Sequence, residues 1–502
     1  MTSQLPLDRL ERVEAWGGAS EAMCYVYRPT TVEGLRGVFA LAREAGVSVG
    51  LRGAGYSYGD APLNAERLLI DLSRMNRILE WDPDRGVITV EPGVTIARLW
   101  RYALGDGWWP AVVPGTMFPT VGGCLGMNVH GKNNWNAGTF GEHVLEFEAL
   151  LPSGELVTCR PDHNEELFYS MIGGLGLLGC FTRITLQLHR VHSGNLEVRS
   201  LTEPNLVDLI DRMEALKDEA DYLVGWVDGL ARGRSLGRGQ IHTASYQGPD
   251  DDPAPAQSLR LEHQDLSETF FGLIPKSILW RLMRPFMNNL GVRWINRARY
   301  WSARSQGDHS FVQSLAAFNF LLDYVPGWKR AYQPEGLVQF QCFLPLDTAA
   351  DTIENLLQLT HARGLPSYLV VVKRHRPDEF LLSHGLNGFS LAMDFRVTQR
   401  NRPRLAELFK EMEELVLESD GRFYFAKDSA LRPETARAYL GEAALVEYAA
   451  LKQRCDPLGL LQTNLARRAL PDLVAYRDPG SSAELTEPAV AASEMSESGW
   501  DG

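Results

Sequence analysis

Two glycine-rich turns govern what this chain can fold into. Residues 51–60 read LRGAGYSYGD, and residues 114–141 read PGTMFPTVGGCLGMNVHGKNNWNAGTFG. Each follows or interrupts a strand-like run. Glycine takes positive φ there at no steric cost, and it lets main-chain N–H groups approach phosphate oxygens without a Cβ between them. One such turn is an ordinary loop as readily as a binding loop. Two of them, with the residues between, point to a flavin dinucleotide. A third patch, Gly173-Gly174-Leu175-Gly176-Leu177-Leu178-Gly179, precedes a strand instead of opening a helix after one, and no acidic partner follows at suitable spacing. That excludes a Rossmann cradle.

The 502 residues suffice for two or three domains. A net charge of −13 argues against a nucleic-acid surface, which needs a basic field. The six cysteines form no CxxC pair, so neither a metal site nor a disulfide framework is indicated. The N-terminus has no apolar core of signal-peptide length, and no run reaches the roughly 18 apolar residues of a membrane span. A cytoplasmic protein is expected, with peripheral contact to the inner face of the cell membrane as a further expectation.

Residues 28–50 read as a helix between strands, the helix capped by Thr31 and stopped by Gly46. Strand-like runs follow at Leu68–Leu72, Val87–Val90 and Phe147–Leu151, then a hairpin at Pro152-Ser153-Gly154-Glu155 and an alternating strand over Phe181–Val191. A second unit mixes helices (Glu203–Ala220, Thr348–Arg363, Arg402–Glu418) with strands (Leu337–Phe343, Tyr368–Lys373, Gly388–Phe395). The expected class is α+β. The expected divisions are a cofactor domain of two subdomains over 1–194, an α+β substrate domain with an antiparallel sheet over 195–425, a segment returning to the first domain over 426–472, and a disordered acidic tail over 473–502. Between Phe270 and Ser305 lie seven Lys or Arg, many aromatics and no acidic residue. That composition suits an interfacial segment on an anionic membrane, or a buried helix pair whose arginines snorkel.

The motifs RGxGxSYGD, PGTxxxTVGG, HGKN and GGxGLxG before a strand, taken in order, resemble the vanillyl-alcohol oxidase / p-cresol methylhydroxylase family of FAD-linked oxidoreductases. Within it they are most similar to the oxidase subunits of decaprenylphosphoryl-β-D-ribose 2′-epimerases. Matching stretches in the second half include GWKRAYQPEGLVQFQCFLP, YLVVVKRH, LAMDFRV, GRFYFAKDS and CDPLGLLQTNLARR. The resemblance implies a PCMH-type flavin domain and an FAD cradle drawn from Arg52, Gly53, Ala54, Gly55, Tyr56, Ser57 and Gly59. It adds Pro114, Gly115, Thr116, Thr120, Gly122, Gly123, Asn128, His130, Gly131, Lys132, Asn133 and Gly138. It implies Lys427, Tyr58, His130 and Tyr424 as catalytic residues and Gln339, Gln341, Lys373 and Lys427 as substrate residues, with no metal.

The implied reaction oxidises a secondary sugar hydroxyl, the ribose 2′-hydroxyl of a polyprenyl-phosphoryl pentose, as in arabinan precursor synthesis, with a quinone or oxygen as acceptor and an NAD-dependent reductase as partner. Alditol or aldonolactone oxidation and sterol-type double-bond reduction stay open as alternatives. Three departures from the family pattern matter. Tyr56 stands where many members carry the histidine that attaches flavin, so non-covalent FAD is expected. Ala392 stands where the epimerase subunit has a cysteine, and Phe318-Asn319-Phe320 where an aromatic-proline loop is expected.

Overall fold

The computed structural model describes residues 5–267, 269–270 and 274–474. Of the tail 473–502 read from sequence as disordered, Leu473 and Val474 are ordered and buried against the body of the protein, and the rest from 475 onward lies outside the described residues, as do 271–273 of the basic-aromatic segment.

The first part of the chain builds two small sheets. Strands Leu10–Glu14, Glu21–Tyr27, Leu68–Asp71 and Val49–Arg52 form a mixed four-stranded sheet in that order. The crossover helix Val32–Ala45 fits its sequence reading: the Thr31 hydroxyl accepts from Gly34 N–H, and Gly46 ends the helix at φ +64°. The second sheet is antiparallel and orders Ile78–Asp82, Val87–Val90, Cys180–Gln187, Val144–Leu150 and Leu156–Cys159. The strand read as continuous to Val191 breaks at Leu188, whose N–H donates to Gly86, and resumes as His189–Arg190 against Trp108–Trp109.

The second part is one antiparallel sheet of eight strands: His309–Ser314, Asn195–Glu203, Gly239–Tyr246, Tyr222–Val227, Leu369–His375, Gly388–Arg396, Leu337–Pro345 and Arg422–Phe423. Helices Leu206–Leu216, Ala349–Ala362 and Arg402–Glu418 cover one face. The first of these is shorter than its sequence reading, because the Asn205 side chain accepts from Asp208 N–H and starts the helix at Leu206. Strand alternation does the rest. Phe340 points to the helices, its ring 5.5 Å from that of Phe409, while neighbouring Gln339 and Gln341 point the other way into a cavity.

The chain then returns to the first sheets. Val49 donates to Leu460 O at 2.7 Å and accepts from Gln462 N–H, and Asn464 N–H donates to Leu63 O. Leu473 and Val474 are buried. Among the described residues no helix is long and apolar enough to cross a membrane.

Candidate functional site: a cavity between glycine loops and a sheet floor

A cavity of about 600 Å³ separates the glycine turns from the open face of the eight-stranded sheet. One wall is rich in bare loop backbone, set among apolar side chains such as Leu51, Pro62, Cys124 and Phe181. Arg52–Tyr58, Pro114–Thr116, Thr120, Gly122, Gly123, Gly176 and Gly179 line it. A Cβ on Gly53 would stand 2.2 Å from the Thr120 hydroxyl, so that turn tolerates no side chain. The amides of Ala54, Gly55, Tyr56 and Ser57 donate to no acceptor among the described residues. Four free N–H groups on bare loop suit an anionic, elongated ligand, and the volume is that of a cofactor pocket. FAD fits this wall: the loops offer its pyrophosphate unpaired donors without obstruction.

Several residues expected in the cradle do other work. Gly59 is not in the wall; its α-carbon lies against the Asp428 carbonyl, 1.8 Å from where a Cβ would sit. Asn128 turns away and accepts from Gly141 N–H at 3.0 Å. Gly131 and Asn133 lie behind the wall, Asn133 donating to Ala111 O at 2.8 Å, and Gly138 packs against Glu142. Lys132 does reach the wall, yet its ammonium donates to the carbonyls of Phe318 and Asn319 and lies 4.4 Å from the Phe318 ring centre. It fastens the loop at 318–320 to the glycine region. Arg52 likewise serves the loop, donating to Pro62 O and Glu14 O.

The opposite wall is a floor of side chains set by strand register. One row runs Gln341, Ala392, Val371, Trp226 on four adjacent strands. The next contains Ser390 beside Lys373, and Val224 beside His242. At about 4.8 Å per strand, Gln341 and Trp226 are about 15 Å apart. Lys427 closes the first end. Its ammonium lies 3.7 Å from the Tyr58 ring centre, and Tyr58 N–H donates to Ala426 O at 3.0 Å. The Lys427 turn is braced from behind: Arg468 pairs with Asp60 at 2.8 Å and with Asp428 at 2.7 Å, joining the first glycine turn, the lysine turn and the C-terminal helix Asn464–Ala469. Arg299, from the helix Asn289–Gln306, closes the other end, stacked 4.1 Å from the Trp226 ring centre.

The floor is electropositive. Burial pulls Lys427 well below the ordinary lysine value, and the charge of Lys373 adds to this while Asp394 opposes it. Burial alone brings Lys373 down to about 8. Asp394, which accepts a hydrogen bond from Gln339, is pushed up by burial. No carboxylate pairs with Arg299 among the described residues; the residue is exposed at this end of the cavity, and desolvation of its guanidinium against the Trp226 ring lowers its affinity for the proton. His130 stands under Gln341, its Nε2 2.8 Å from the Gln341 amide nitrogen. It packs among His375, His384 and Tyr424 at ring separations of 4.8, 5.7 and 5.1 Å. Burial first, then the charge of Lys373, keeps that imidazole neutral. Its unpaired Nδ1 carries the proton when the amide donates to Nε2.

The cavity thus brings together Tyr58, Gln339, Gln341, Lys373, Tyr424 and Lys427, with His130. Sequence reasoning missed Trp226, His242, Arg299, Asp394 and Arg468. Only Arg299 left a sequence signal, the acid-free basic segment that holds it.

A family model described as an FAD binding domain matches residues 24–160, which carry both glycine turns. Decaprenylphosphoryl-beta-D-ribose oxidase of Mycolicibacterium smegmatis is 30% identical over 91% of this chain and 97% of that protein. L-gulonolactone oxidase of Bos taurus is 24% identical over 86% of this chain and 92% of its own length. D-arabinono-1,4-lactone oxidase of Yarrowia lipolytica matches at 24% over 37% of this chain and 36% of its own. With a backbone cradle that fits FAD and a relative matched almost end to end, the chain belongs to the FAD-linked oxidoreductases of the vanillyl-alcohol oxidase / p-cresol methylhydroxylase family.

Proposed function

We propose that the protein oxidises a secondary hydroxyl of a lipid-phosphate-linked sugar, the ribose 2′-hydroxyl of a polyprenyl-phosphoryl pentose, to a ketone, using non-covalent FAD. The observation that carries this reading is the floor, with Lys427 and two glutamines at one end and, at the other, Arg299, which pairs with no carboxylate among the described residues. A neutral sugar needs the first end only. A phosphorylated amphiphile uses both. The name of the Mycolicibacterium smegmatis relative agrees with this substrate class.

FAD, when bound, accepts the carbinol hydrogen as hydride. The chain's residues handle the rest. Gln339 and Gln341 orient the sugar, and Lys373 and Arg299 hold its phosphate. Lys427, kept partly unprotonated by its surroundings, takes the hydroxyl proton as the C–H bond breaks. Tyr58 lies against the Lys427 side chain and limits its rotamers. The ketone product suits an NAD-dependent reductase partner that returns it to an alcohol. Non-covalent attachment rests on Tyr56, which offers no imidazole, and on Cys124, the cysteine in the wall, whose thiol burial keeps protonated.

The Tyr424-Phe425-Ala426-Lys427 turn keeps the lysine of aldonolactone oxidases without the histidine and tryptophan of their HWxK motif, which disfavours a lactone substrate. The test is anaerobic flavin bleaching by farnesyl-phosphoryl-β-D-ribose, free alditols, L-gulono-1,4-lactone and NADPH. Rapid bleaching by the first alone is expected, and bleaching by the lactone instead would reassign the substrate class. Acid precipitation is expected to release all the flavin; colour kept in the pellet would show a covalent bond.

A further inference from the structure

We propose that the outer face of residues 278–304 docks the protein on an anionic lipid bilayer, with the cavity entrance turned to the lipid. The helix Asn289–Gln306 has two unlike stripes. Val292, Asn296, Tyr300 and Ala303 face inward and are buried. Asn296 donates to Asp228 at 3.1 Å, and Arg238 stacks 4.7 Å from the Tyr300 ring centre, so the inner stripe is fixed. The outer stripe is apolar and uncovered: Leu290 is 65% exposed, Trp294 64% and Trp301 51%. Leu282 and Phe286, just before the helix, extend it.

Arg281, Arg284, Arg293, Arg297 and Arg304 are interleaved with these side chains, and all are exposed. None pairs with a carboxylate among the described residues, whose ion pairs gather elsewhere on the surface. From 270 to 305 there is no acidic residue in a chain of net charge −13. Such a patch is attracted to anionic lipid by its guanidiniums and inserts by its tryptophans, which favour the headgroup level. A second copy is a poor occupant, because a two-fold interface would set five guanidiniums against five. Arg299 ties the face to function: it leaves the same helix to line the cavity, so docking brings that end of the cavity to a lipid-borne phosphate. That last link rests on the proposed substrate class. The docking itself does not.

The test uses the full FAD-loaded chain and sucrose-loaded vesicles of phosphatidylcholine, alone or with one third phosphatidylglycerol. Co-sedimentation with the anionic vesicles is expected to exceed that with neutral ones by about tenfold or more and to fall at high salt. Trp294→Ser with Trp301→Ser, and separately Arg293→Gln with Arg297→Gln, should each weaken it about tenfold while the flavin spectrum is retained. No preference for anionic vesicles, as expected if an acidic protein is the true partner, would overturn the proposal, as would unchanged sedimentation of both variants. Bleaching by farnesyl-phosphoryl-β-D-ribose in free solution should be the same in these variants. Its absence in the wild type would overturn the substrate reading and leave the docking result standing.

Discussion

The two walls of the cavity are made by opposite means. The cofactor wall is shaped by bare glycine loops, where side chains are missing, and its donors are unpaired amides. The opposite wall is side chains, each placed by register on a broad sheet, and its donors are cations with a depressed affinity for protons. A backbone wall accepts one shape of ligand and changes little with pH. A side-chain wall sets chemistry and selectivity, and single substitutions alter it without moving the fold.

Breaking the side-chain wall at its reactive end should give the largest effect. Lys427→Met is expected to slow flavin reduction by about a thousandfold while FAD stays bound, as stopped-flow absorbance would show. Removing the brace behind it comes next. Arg468→Gln strands Asp60 and Asp428, and should lower unfolding free energy by about 3 kcal/mol in denaturant titration. On the backbone wall, Gly53→Val drives side-chain atoms into Thr120 and should weaken FAD by about ten- to hundredfold, the equivalent of about 1–3 kcal/mol of overpacking. The pH profile separates the walls more gently. Since the Lys427 ammonium loses its proton well below the ordinary lysine value, flavin reduction should rise with pH through that lowered value, where the amine becomes a base. FAD affinity should stay flat over the same range. A rate falling as pH rises would remove Lys427 as the proton acceptor.

The difference between the walls also decides what could be read from sequence. Glycine is legible because its absence of side chain is written in the letters, so Gly53, Gly55, Gly115, Gly122 and Gly123, which line the cavity, stand out in the sequence. Gly59 and Gly138 were over-read, since a glycine demanded by close packing against Asp428 or Glu142 looks the same as one demanded by a ligand. Of the eight strands in the floor, Leu337–Pro345, Leu369–His375 and Gly388–Arg396 are legible with their extents, and a strand after Asp420 without them; the other four are not. Tyr222–Val227 is buried at every position, so it shows no alternation to detect. Trp226, His242 and Arg299 meet only through pairings across that unread part of the sheet. Lys427 and the two glutamines were legible through family resemblance, not periodicity. Arg468 was not, because a bridge over 408 positions of sequence leaves no local pattern.

The central claim is that one end of the floor reacts and the other holds a phosphate. Stopped-flow flavin reduction by farnesyl-phosphoryl-β-D-ribose, in the wild type and in Arg299→Gln, tests it directly. An unchanged limiting rate is expected, with a half-saturating concentration raised about ten- to hundredfold by the loss of one charge-assisted phosphate contact. Equal saturation in the two proteins, or a wild type that reduces its flavin as readily with unphosphorylated ribose, would contradict it.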